Sequence, residues 1–269
     1  MNLQSEHTLP AKVANHLVDY LANENIILIG GQAVMFWAHF YGLVEEKASL
    51  TRDIDFFGQR ADVEDANLRL ANFSHKTKYA DWDDTSPNSG VILVDVPELK
   101  DPVQIDFLWA VHGLSGSDVR ERAVQASIPG IEKSVSVLHP FMCLESKIAN
   151  LGSFPKKRSP EGIEQTRLAV QVVRAIITKM LDDGRERDAL NLVERTRHIA
   201  LSDASNFAFA VCKVDVLDAI PAEKFGSETF KSTRWPQIKA TVGDRRQRFT
   251  ALLPNQADPA NTKTLRYRV

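Results

Sequence analysis

Ile26-Ile27-Leu28-Ile29-Gly30-Gly31 and, after a gap of 19 residues, Thr51-Arg52-Asp53-Ile54-Asp55-Phe56-Phe57 are the two stretches that decide the fold. Four branched aliphatic residues in a row predict a short strand buried on both faces, and the glycine pair at its end delivers the backbone to the start of a helix. With no Cβ atoms, Gly30 and Gly31 let a phosphate oxygen approach the amides of that helix. The second stretch alternates acid with apolar residue, as a strand does when one face is anchored in a core. Side chains two apart on a strand share a face about 6.5–7 Å apart, so Asp53 and Asp55 converge on one place.

Upstream, Val13, Leu17, Tyr20 and Leu21 stand at helical spacing and predict a helix over 11–23. A second helix is predicted over 32–40, ended by Gly42, then a strand over 53–57 and a helix over 62–72 whose first turn is acidic, as the helix dipole favours. The turn Pro87-Asn88-Ser89-Gly90 leads into strands over 91–96 and 103–109. The character changes near Pro129-Gly130. A last strand is predicted over 134–138, and His139-Pro140 opens a helix to about 151. Beyond it only helical segments are read, over 161–182, 185–200, 203–219 and 233–252. The expectation is an α/β (α+β) chain: a small mixed-sheet core over 1–138, a helical C-terminal domain over 139–252 and a loosely held tail over 253–269.

With 269 residues, 43% apolar and 25% charged, the composition is that of a globular chain with room for a sizeable core. No apolar run reaches the length of a membrane span and Met1–Pro10 lacks the pattern of a signal peptide, so the expected location is cytoplasmic with no membrane partner. Cys143 and Cys212 have no companions at metal-ligand spacing and read as core thiols. The charge is uneven: residues 1–138 carry 11 Lys/Arg against 20 Asp/Glu, net −9, and residues 139–269 carry 22 against 15, net +7. A basic half suits an anionic partner and an acidic half suits cations, although two ordinary surfaces attracting each other give the same imbalance.

An isolated Asp-x-Asp arises easily by chance, as Asp81-Trp82-Asp83 illustrates. Asp53 and Asp55 differ in context, and a third acid shares it: Val103-Gln104-Ile105-Asp106-Phe107-Leu108-Trp109 embeds Asp106 among strand-forming apolar residues. A carboxylate in such a strand is costly to bury unless a cation or a salt bridge relieves it. Three carboxylates from two strands can hold two Mg²⁺ ions, with Mn²⁺ a substitute, around a nucleoside triphosphate. One ion would position the α-phosphate and the other would lower the pKa of an attacking hydroxyl, with Asp106 assisting as base. A dinucleotide fingerprint is ruled out by Met35 where its third glycine belongs, and a P-loop by the absence of Gly-Lys-Ser/Thr.

Gly30-Gly31, a helix, Thr51-Arg52-Asp53-Ile54-Asp55-Phe56 and a later strand with Asp106 together resemble the DNA polymerase β-type nucleotidyltransferase superfamily, and within it the AbiEii-type nucleotidyltransferases. Many of these are toxins of toxin-antitoxin systems. The resemblance covers residues 26–151 and reaches the helical remainder in outline. It implies that Asp53, Asp55 and Asp106 are catalytic metal ligands and that Gly30 and Gly31 take the phosphates. Thr51 and Arg52 would orient a phosphate or the nucleotide, or else cap the strand. Lys147, within Leu144-Glu145-Ser146-Lys147-Ile148-Ala149, resembles the lysine that AbiEii-like proteins direct at the triphosphate. The chain departs from the pattern at Gln165-Thr166-Arg167-Leu168-Ala169, where family members often carry a basic residue followed by Asp and where Arg167 is the basic substitute.

The expected activity is therefore Mg²⁺-dependent transfer of a nucleotide from an NTP to an acceptor hydroxyl. RNA, such as a tRNA 3′ end, is the favoured acceptor because of the basic half. A toxin would bring a cognate antitoxin as partner. Protein or small-molecule acceptors such as an aminoglycoside, and a non-catalytic binding module on the same fold, are the alternatives. A phosphatase of the haloacid dehalogenase type also uses Asp-x-Asp, but its first Asp ends a long apolar strand and a Thr follows, whereas Ala48–Arg52 is mostly polar and Phe57 stands in the Thr place. His39, His112 and His139 read as structural, and Arg245-Arg246-x-Arg248 as a solvated helix face.

Overall fold

The computed structural model describes residues 8–45, 51–81, 83, 86–127 and 133–253. The Pro129-Gly130 transition and positions 254–269 of the tail lie outside them. The chain divides into two compact units, Met1–Cys143 and Leu144–Val269.

The first unit is built on a seven-stranded mixed sheet. Its strands are β1 (Ile27–Ile29), β2 (Asp53–Phe57), β3 (His75–Tyr79), β4 (Asn88–Val94), β5 (Val103–Leu108), β6 (Val124–Ser127) and β7 (Ser134–Val137). They lie in the order β3-β4-β5-β2-β1-β7-β6. β2 is parallel to β5 and β1 to β7, and the remaining pairs are antiparallel. Before and between the strands run α1 (Ala11–Leu21), α2 (Gly30–Phe40), α3 (Arg60–Arg69) and the short α4 (Gly116–Glu121).

The apolar run 26–29 is buried throughout, so β1 sits in the interior of the sheet, where its backbone pairs on both sides. On β2 and β5 the residues Ile54, Phe56, Ile105 and Phe107 are fully buried, with the Phe56 and Phe107 rings 5.6 Å apart. That apolar face fixes the register, because a slip of one residue would exchange these side chains for the carboxylates. Trp37 of α2 donates its indole N–H to the Leu138 carbonyl at 2.8 Å, tying the helix to the end of β7. α3 begins two residues before its expected start: Asp62 is the third residue of its first turn and accepts the Gln59 amide at 2.6 Å in a capping box.

α5 (Pro140–Ser153) opens where His139-Pro140 places it, with His139 Nδ1 accepting the Phe141 amide at 3.2 Å. The second unit then contains α6 (Pro160–Asp182), α7 (Glu186–Ala200), α8 (Asp203–Cys212) and α9 (Trp235–Leu252). The helix expected over 203–219 stops at Cys212, because Lys213 turns into the left-handed region and a 3₁₀ turn, Val216–Ala219, follows. The helix expected from 233 has its α-helical part from Trp235, after a π-helical turn at Phe230–Arg234. Cys143 and Cys212 are both buried thiols outside any disulfide, and Cys143 Sγ lies 3.6 Å from the Leu138 carbonyl. Among the described residues no helix is long and apolar enough to cross a membrane.

Candidate active site

Two strands bring the acids together and a third lies beside them. Asp55 of β2 lies opposite Asp106 of the parallel β5 and opposite Ile29 of the antiparallel β1, while Asp53 lies opposite Gln104. Asp53, Asp55, Gln104 and Asp106 therefore occupy one face of the sheet and Ile54, Phe56, Ile105 and Phe107 the other. One carboxylate oxygen from each of Asp53, Asp55 and Asp106 lies within 4.8 Å of the others. Asp53 and Asp55 are half-buried, and Asp106 is 8% exposed. Three like charges held this close repel one another, and burial removes the water that would screen them. A divalent cation among them turns that repulsion into attraction. The all-oxygen donor set fits Mg²⁺ or Mn²⁺.

Gly30 joins this cluster through its backbone. It is the first residue of α2, at φ +67°, and a Cβ built on it would stand 1.9 Å from Asp55 Oδ2. No side chain fits there while Asp55 keeps its place. The pairing of Ile29 with Asp55 delivers this contact, so β1 ends with the helix start against the carboxylate. Gly31 follows, buried in the first turn.

Two glutamines absent from the expected site brace it. Gln104 donates its side-chain amide to Asp106 Oδ2 at 2.8 Å, orienting that carboxylate from two positions away on its own strand. Gln32, 8% exposed in the first turn of α2, donates to Thr51 Oγ1 at 2.5 Å, and the Thr51 carbonyl accepts the Leu9 amide at 2.7 Å. Thr51 is 2% exposed and works as a brace between the entry to β2 and α2. Arg52 beside it is exposed. The spacing of Gln104 to Asp106 and of Gly31 to Gln32 was visible in the sequence, but an amide carries no pattern that marks it as a brace.

Lys147 belongs to the second unit, where its ammonium donates to Gln165 Oε1 of α6 at 2.5 Å. Burial lowers the pKa of His112. Arg246 is not on a solvated face: its side chain is 11% exposed, pairs with Asp215 and lies 3.8 Å from the centre of the Phe209 ring. Arg245 pairs with Asp203 at 2.7 Å.

No protein-family model, curated protein or solved structure matches the chain.

Proposed function

We propose that this chain is a divalent-cation-dependent nucleotidyltransferase, and the convergence of Asp53, Asp55 and Asp106 to within 4.8 Å beside the Gly30 backbone is the observation that carries the reading. In the reaction an acceptor hydroxyl oxygen forms a bond to the α-phosphorus of an NTP as the bond to the bridging oxygen of the β-phosphate breaks. Pyrophosphate leaves, and the hydroxyl proton passes to the Asp106 carboxylate, which Gln104 holds in place. Asp53 and Asp55 would hold Mg²⁺ together with Asp106, and the ion would neutralise triphosphate charge and acidify the hydroxyl. The amides at the start of α2 receive a phosphate oxygen.

RNA is the acceptor we favour. Residues 139–269 carry a net charge of +7, which suits a polyanionic acceptor, and phosphate contacts supply most nonspecific affinity. The test incubates the protein with Mg²⁺, each α-³²P-labelled NTP in turn and total bacterial RNA, beside an Asp53→Asn control. Label entering RNA with the wild type and not with the control is the expected result. Label in protein or a small molecule would replace the acceptor, and no transfer to any of them would overturn the reading.

A further inference from the structure

Within the helical unit, α6 and the segment after α8 border a cleft of about 400 Å³. Arg167, Gln171 and Arg174 line one side, at the i, i+4 and i+7 spacing of a single helix face, and Lys213, Asp215 and Asp218 line the other. The volume is that of a small-ligand site. One of its two acids is offset: Asp215 accepts both terminal nitrogens of Arg246, one at 2.8 Å. Asp218 is the acid of the wall that opposes an anion. Arg174 forms a fixed wall, donating to the carbonyls of Asp218 and Ile220 at 3.0 and 3.3 Å and pairing with Glu223.

Lys213 gives the cleft its direction. It is the one described non-glycine residue at positive φ, at 56°, and closes α8 in the left-handed conformation where glycine is the usual occupant. A lysine in a left-handed position that glycine would fill without cost, at a residue lining a cleft, points to a use for its amine. That amine donates to the Ala210 carbonyl at 2.8 Å, which satisfies one of its protons and leaves its charge uncompensated by that contact. Across the cleft, Arg167 meets Glu164 only at 3.4 Å with its side chain 46% exposed.

We propose that this cleft binds a phosphate-bearing ligand, with Lys213 and Arg167 as its charged contacts and Gln171 as a hydrogen-bonding partner. The phosphate is either that of a nucleic-acid backbone or a free phosphate compound, and the site does not depend on nucleotidyl transfer. The test titrates the full chain, in EDTA, with inorganic phosphate followed by ³¹P NMR, and with a short fluorescent single-stranded RNA followed by anisotropy. Lys213→Gly removes the amine and relieves the backbone, so its melting temperature holds or rises while phosphate binding weakens by about tenfold or more, a loss of one charge-assisted contact. Asp218→Asn removes an acid from the wall and tightens phosphate binding. Arg167→Gln, at an exposed position, weakens binding independently of the αL turn. A parallel loss of RNA affinity in Lys213→Gly supports the site and names a nucleic-acid backbone as the source, and unchanged RNA affinity beside weakened phosphate supports it with a free phosphate compound. Absence of saturable phosphate binding in the wild type, or wild-type affinity in both Lys213→Gly and Arg167→Gln, would overturn it.

Discussion

Replacing Gly30 by alanine separates backbone strain from the contact with Asp55. Gly30 and Gly42 both sit in the left-handed region, at φ +67° and +64°. A Cβ on Gly42 meets nothing within 4 Å, whereas on Gly30 it meets Asp55 Oδ2 at 1.9 Å, Cγ at 2.8 Å and Cβ at 2.9 Å. The left-handed conformation costs alanine roughly 1–2 kcal/mol, offset by about 0.4–1 kcal/mol from the stiffer unfolded chain. Gly42→Ala should therefore lose about 0.5–1 kcal/mol. Gly30→Ala adds the expulsion of Asp55 from its rotamer, about 0.5–1.5 kcal/mol, for a loss of about 1–2.5 kcal/mol in all. For a chain of this size that lowers the melting temperature by about 2–10 °C for Gly30→Ala and about 1–4 °C for Gly42→Ala, read by circular dichroism. Titration with Mn²⁺ provides the second readout: on the proposed metal site, Gly30→Ala should lose affinity because it displaces Asp55, and Gly42→Ala should keep it. Equal melting temperatures in the two variants, with Mn²⁺ affinity intact in both, would refute the contact between Gly30 and the carboxylate.

Gln104→Ala should leave the fold intact and lower Mn²⁺ affinity by about tenfold, the usual effect of losing a residue that orients a ligand; calorimetry showing wild-type affinity would remove Gln104 from the site. Thr51→Val strands the buried Gln32 amide without its acceptor and should cost about 1–3 kcal/mol in urea denaturation, part of which Thr51→Val combined with Gln32→Leu recovers. A double variant as unstable as the single one would show that the brace is not the cause. Asp218 has its folded-state pKa raised above the ordinary 3.8, first by burial and then by Asp215, so its ionised form disfavours folding and the deficit grows as pH rises through the folded value. Asp218→Asn should therefore raise the melting temperature at pH 7, and the gain should vanish below pH 3.8, where both states are protonated. A gain independent of pH would mean that packing, not charge, is responsible.

Patterned segments announced themselves, and segments whose order comes from their neighbours did not. β2 reads at its exact bounds because its acid and apolar residues alternate and one face must be buried. β3, His75-Lys76-Thr77-Lys78-Tyr79, gave no signal because it is an edge strand with Lys76 and Lys78 turned to solvent, and pairing with β4 makes it a strand. β6, Val124–Ser127, is four residues at the opposite edge and likewise depends on β7. Periodicity carried the expected helix past Cys212 because a positive φ at lysine has no sequence signature, unlike one at glycine. In the site, the carboxylates were legible because burying charge on a strand demands a reason. Gln104 and Gln32 were not, because their roles depend on which strand and which turn lie beside them. The burial of Arg246 was hidden in the same way, since it follows from Asp215 and Phe209, more than thirty residues earlier in the chain.

The most direct test of the central claim is anomalous diffraction from crystals grown with Mn²⁺ and a non-hydrolysable NTP analogue. A manganese peak bonded to oxygens of Asp53, Asp55 and Asp106, with the triphosphate against the start of α2, is the predicted result. Manganese bound elsewhere, with these three carboxylates uncoordinated at saturating nucleotide, would contradict it.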